Sequence, residues 1–125
     1  MIENKRILIV DDEPYNILGL KIVLQQSGIK NILSIVDSAH NGKKANEMVI
    51  QAFERQTYSY GLIFMDCSMP VMSGYDASDL IRKFMNEKCM PQPMIIATTG
   101  HTEDEYINKC WVHQIDEVLS KPINV

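Results

Sequence analysis

Arg6-Ile-Leu-Ile-Val10-Asp11-Asp12 sets a short apolar run, rich in β-branched residues, against a pair of acids. A run with no apolar–polar alternation reads as a strand buried on both faces, as in a parallel sheet. The pattern recurs. Gly61-Leu-Ile-Phe-Met65 is stopped by another acid, Asp66, and Met94-Ile-Ile-Ala-Thr98 follows a break at Pro91-Gln-Pro93. Ile32 to Val36 reads as a further strand, and Glu117 to Ser120 as a short last one ending at Lys121-Pro122.

Between these runs the apolar residues take helical spacing. Pro14 suits a first helical turn, with Ile17, Leu18, Leu20, Ile22, Val23 and Leu24 on the expected buried side and Gly28 as the stop. Asn41 to Gln56 carries Ala45, Met48, Val49, Ala52 and Phe53. A helix from about Tyr75 to Glu87 turns Ala77, Leu80, Ile81 and Phe84 inward, and Glu103 to His113 reads as the last helix. Strands alternating with helices imply right-handed crossovers and a parallel sheet flanked by helices, an α/β fold. Ligands of such sheets bind beyond the carboxyl ends of the strands. Asp11, Asp12, Asp66, Thr98, Thr99 and Lys121 all follow or end strands, so they are expected to gather at one sheet edge.

The composition excludes several classes. The chain has 125 residues, 46% hydrophobic and 22% charged, the balance of one globular domain, here residues 1–125. Twelve basic against 16 acidic residues leave a net charge of −4, which argues against a nucleic-acid groove. Cys67, Cys89 and Cys110 are an odd number without CxxC spacing, as expected of a reduced, cytoplasmic protein. No apolar run is long enough for membrane insertion, and Met1 to Arg6 shows no signal-peptide pattern.

Three carboxylates at one edge repel one another unless a cation intervenes. Hard oxygen ligands without Cys or His suit Mg²⁺, which keeps several waters and leaves room for a phosphoryl group. Lys121 supplies a mobile point charge for a phosphate oxygen, and Thr99 a hydroxyl donor. An aspartate so placed can be the nucleophile of an aspartyl-phosphate. Taken singly, each residue has a plainer reading: Asp11-Asp12 as a helix cap, Asp66 as a turn residue, Lys121 as a surface lysine, the threonines as strand formers.

Val10-Asp11-Asp12-Glu13, Met65-Asp66-Cys67-Ser68-Met69-Pro70-Val71-Met72-Ser73-Gly74-Tyr75, Ile96-Ala97-Thr98-Thr99-Gly100 and Leu119-Ser120-Lys121-Pro122, in this order, resemble the receiver domains of two-component response regulators. The resemblance runs from Arg6 to Ile123, and is to the receiver of a hybrid histidine kinase in particular. It implies a flavodoxin-like, doubly wound, five-stranded parallel sheet in the order 2-1-3-4-5. Asp66 would accept a phosphoryl group from the phosphohistidine of a histidine kinase or histidine phosphotransfer protein. Asp11, Asp12, Asp66 and the Ser68 carbonyl would hold Mg²⁺. Thr99 would be the switch hydroxyl, Lys121 the phosphate partner, and the Lys121–Pro122 bond cis. The chain would catalyse only its own phosphorylation and slow dephosphorylation. A pseudo-receiver, a binding module without the chemistry, is the alternative.

Two departures stand out. Where receivers usually carry Tyr or Phe, three residues before the lysine, this chain has Val118, whose β-branched side chain cannot swing a ring between two positions. A fifth helix is also expected to be missing after Pro122. That would leave an apolar face open, a candidate homodimer surface. His101, two residues after Thr99, would approach the phosphoryl site.

Overall fold

Five strands form one parallel sheet in the order β2-β1-β3-β4-β5. The computed structural model describes residues 4–100 and 104–121. The strands are β1 (Lys5–Val10), β2 (Val36–Ala39), β3 (Ser59–Asp66), β4 (Met94–Thr99) and β5 (Glu117–Ser120). The helices are α1 (Pro14–Gln25), α2 (Gly42–Arg55), α3 (Gly74–Glu87) and α4 (Asp104–Val112), with a short 3₁₀ turn at Ile32–Ile35. The expected α/β architecture and strand order are therefore present. The cis Lys121–Pro122 bond, the missing fifth helix, His101 and the start at Glu103 all concern positions outside the described residues.

The central strands owe their place to their apolar runs. Leu8, Ile9, Val10, Ile63, Met65, Ile95 and Ala97 are almost wholly buried. Alternation sends Leu8, Val10, Ile63, Met65, Ile95 and Ala97 into one core with α2, α3 and Cys110 of α4. Ile7, Ile9 and Phe64 face α1 on the other side, against Ile17 and Leu20. Each of these side chains larger than alanine contributes about 1.5–3 kcal/mol of burial.

Local chemistry sets the helix ends. Asn41 caps α2, its side chain accepting the Lys44 N–H at 2.7 Å, and Ser73 caps α3 by accepting the Asp76 N–H at 3.2 Å. Three expectations need correction. Ile32 to Val36 is not a strand: Asn31 enters the left-handed region (φ 60°), the apolar residues wind into a 3₁₀ turn, and β2 starts only at Val36. On α1, Leu18 and Ile22 point to solvent with Tyr15, because α1 packs through Ile17 and Leu20. Leu80 of α3 is likewise exposed, while Tyr75, Ser78, Arg82 and Met85 are buried.

Candidate functional site

Residues from four strand ends meet at the carboxyl edge of the sheet. Asp11 directly follows β1, its N–H held by the Ala39 carbonyl of β2 at 3.1 Å. Asp66 is the last residue of β3 and pairs in register with Thr98 of β4. Lys121 follows β5, and its N–H donates to the Thr99 carbonyl at 2.8 Å. Carboxylate oxygens of Asp11, Asp12 and Asp66 all lie within 4.8 Å of one another. The Lys121 ammonium bridges two of them, 3.0 Å from Asp11 Oδ2 and 3.2 Å from Asp66 Oδ1.

Asp11 and Asp66 are buried and Asp12 is half-buried. Burial and the neighbouring Asp11 charge push the Asp66 carboxyl up to about 6, against the pull of Lys121 and of the Ser68 N–H. Burial opposes the charge on Lys121. The hydrogen bond to Asp11, with the Asp66 and Asp11 charges, outweighs it and holds the ammonium above its ordinary value. The site thus concentrates negative charge that a single lysine does not balance. Three hard oxygen donors in reach of one another fit a small, oxygen-seeking divalent cation.

Of the seven expected site residues, Asp11, Asp12, Asp66 and Lys121 are brought together. Thr99 is buried at the tip of β4, with its backbone tied to Lys121. Alternation turns Thr98 to the other face, where it lines a groove of about 240 Å³ with Asp11, Tyr15, Asn16 and Lys121. Ser68 enters through its N–H, which donates to Asp66 Oδ1 at 3.3 Å. The plainer reading of the first acids is partly right too. Asp11 Oδ1 accepts the Glu13 N–H at 2.9 Å, bracing the entry to α1, whose N-cap is Glu13.

Other residues have structural roles that the sequence pattern did not reveal. Gly74 is one. A Cβ there would lie 2.1 Å from the Asp66 carbonyl oxygen, so only glycine lets α3 begin against the tip of β3. The Gly74 N–H closes the loop onto the Cys67 carbonyl at 3.1 Å. Arg82 is another, a buried guanidinium at the far end of α3 that donates to the Gln114 and Pro93 carbonyls, Gln92 and Asp116. Its signal was a base at i+7 from Tyr75 and i+4 from Ser78, on a buried helix face.

Comparison with known proteins places this geometry. The family model described as response regulator receiver domain matches residues 7–125. The chain belongs to this family. Among curated relatives of the receiver, hybrid signal transduction histidine kinase L of Dictyostelium discoideum is 36% identical over 118 residues, 94% of this chain and 6% of that protein. The receiver therefore spans a small part of that relative. The Mg²⁺-complexed receiver domain of the histidine kinase CKI1 from Arabidopsis thaliana superposes with a TM-score of 0.79 at 30% identity, covering 98% of this chain and 87% of that one. The Saccharomyces cerevisiae complex of the phosphotransfer protein Ypd1 with the receiver domain of Ssk1 gives 0.80 at 25%, covering 99% and 83%. This chain is a receiver domain of two-component signalling, related to the receivers of histidine kinases. Among its described residues no helix is long and apolar enough to cross a membrane.

Proposed function

We propose that this receiver takes a phosphoryl group from a phosphohistidine onto Asp66 in a Mg²⁺-dependent step. The observation that carries the reading is the meeting of Asp11, Asp12 and Asp66 within 4.8 Å, bridged by Lys121. An Asp66 oxygen attacks phosphorus, the P–N bond breaks, and its electron pair leaves with the donor imidazole, which takes up a proton. Asp11, Asp12 and Asp66, with the Ser68 carbonyl, would hold the cation, which would neutralise the carboxylates and the incoming phosphoryl oxygens. Lys121 then exchanges its contact with Asp66 for one with a phosphoryl oxygen, and the Thr99 hydroxyl donates to another. Positioning and charge neutralisation supply most of the rate. Water attacking the same phosphorus returns Asp66 slowly, so the product is the chain's own altered state.

The donor is a histidine kinase or a histidine phosphotransfer protein, as the Ypd1 complex of a related receiver supports. Tyr15, which shares a groove with Asp11, and Leu18 and Ile22, exposed further along α1, offer it an apolar footing. The parent is a hybrid histidine kinase on this reading. The test is incubation with acetyl phosphate and Mg²⁺, read by intact mass. One added phosphoryl group is expected, lost with chelator and absent in Asp66→Asn. Equal modification of both proteins overturns the site. An unmodified wild type leaves only a binding module.

A further inference from the structure

Tyr75 stands directly after the glycine that locks α3 against Asp66, and it is buried. It belongs to the same buried core as Cys67, the residue after Asp66, and Cys110 on α4. Its ring packs on His113, just past α4, with centroids 5.3 Å apart, and the Lys109 ammonium of α4 stands 4.4 Å from the ring centre. His113 closes the seam back onto α3, its Nδ1 2.7 Å from Asp79 Oδ2. One aromatic side chain therefore shares its core with the neighbour of Asp66 and packs against Lys109 and His113 at the fourth helix.

The elements at its two ends differ in how firmly they are held. The start of α3 has no slack, since Gly74 meets the Asp66 backbone with no room for a Cβ. By contrast, α4 fully buries only Cys110. A helix with one buried residue is the kind of element that takes a second position at low cost. Val118, packed against the core of α2 and α3, has no ring to report on Asp66.

We propose that Tyr75 couples the state of Asp66 to the position of α4, through its packing between Cys67 and the Lys109–Cys110–His113 side of α4. The proposal rests on the phosphoacceptor reading. A phosphoryl group on Asp66 adds charge that draws Lys121 and the Ser68 N–H to new partners. The resulting shift at the tip of β3 passes through Gly74 and Cys67 to the Tyr75 ring. The ring is clamped to Lys109 and His113, so α4 moves with it. Two arrangements of α4 then differ in stability according to what Asp66 carries.

Amide NMR with beryllofluoride and Mg²⁺ as the phosphoryl probe tests this. In the wild type, shifts are expected both around Asp66 and along Asp104–Val112. In Tyr75→Leu the shifts around Asp66 persist, and the population of the displaced α4 falls roughly two- to thirty-fold. The double variant Lys109→Ala/His113→Ala changes only the outer side of the ring, keeps the core intact, and is expected to lose the α4 response equally. An α4 response unchanged in both variants, or absent from a wild type that shifts at Asp66, overturns the coupling alone. A wild type with no shift at Asp66 overturns the phosphoacceptor reading, and the coupling with it.

Discussion

With its carboxyl pushed to about 6, Asp66 binds a proton more tightly in the folded chain than in the unfolded one, where it returns towards 3.8. Between those values the folded state holds more protons, so stability falls as pH rises through the window. Above it the ionised carboxylate, buried beside Asp11, destabilises the chain by on the order of 2–3 kcal/mol. Asp66→Asn removes that charge. Urea unfolding should show the variant more stable than wild type by about 1–3 kcal/mol near neutral pH, the gap closing towards about pH 4. Equal stability at both ends would remove the electrostatic account. Lys121 works in the other direction, pulling the Asp66 carboxyl down. Lys121→Met should therefore move the acid limb of acetyl-phosphate labelling to higher pH. A limb that stays in place would show that Lys121 acts only after transfer.

The loop from Cys67 to Ser73 joins the tip of β3 to α3, and it contains the least comfortable backbone near the site. Val71 has φ 72°, and the Met72 N–H donates to the Pro70 carbonyl at 2.8 Å, closing a three-residue γ-turn around it. A β-branched residue is strained there. Its side chain is exposed, so no packing is gained in return. Val71→Gly should stabilise the chain by about 1 kcal/mol, read as a raised Tm. Gly74→Ala should do the opposite, by about 3 kcal/mol or more, since its Cβ would collide with the Asp66 carbonyl. A tolerated alanine would mean that α3 can slide off the strand tip. Elements of this kind divide into those visible in sequence and those not. The buried runs of β1, β3 and β4 each end at a site residue, so their place and the meeting of Asp11, Asp66 and Lys121 were legible from local pattern. β2 was not. Asp37, inside it, is polar because Arg6 of β1 and Tyr60 of β3 bind it, at 2.9 and 2.7 Å. The stronger apolar signal at Ile32–Ile35 belongs to a turn. Gly74 and Arg82 escaped for a related reason: their roles depend on residues distant in sequence.

At the scale of the fold, the described helices cover the two faces of the sheet unequally. Among the described residues, α2, α3 and α4 share one core, and α1 with Ile32 of the 3₁₀ turn serves the other. A parallel sheet normally has both faces covered. On the α1 side, β4 and β5 present Met94 at 50% exposure, a half-buried Ile96 and Leu119 at 37%. A groove on this side is lined by Tyr15, Gly19, Leu20 and Thr98. Contiguous apolar surface of this kind marks an association site. The homodimer expected from the sequence would bury β4 and β5 in a reversible contact. Sedimentation velocity over a wide range of loading should show the sedimentation coefficient rising with concentration. Leu119→Lys should hold it at the monomer value, because a buried, unpaired ammonium opposes the contact. Leu119 lies on the opposite face of β5 from Val118 and the Tyr75 seam, so this variant should still take up a phosphoryl group on Asp66. A wild-type coefficient that does not change with loading would exclude the dimer without touching the phosphoacceptor site.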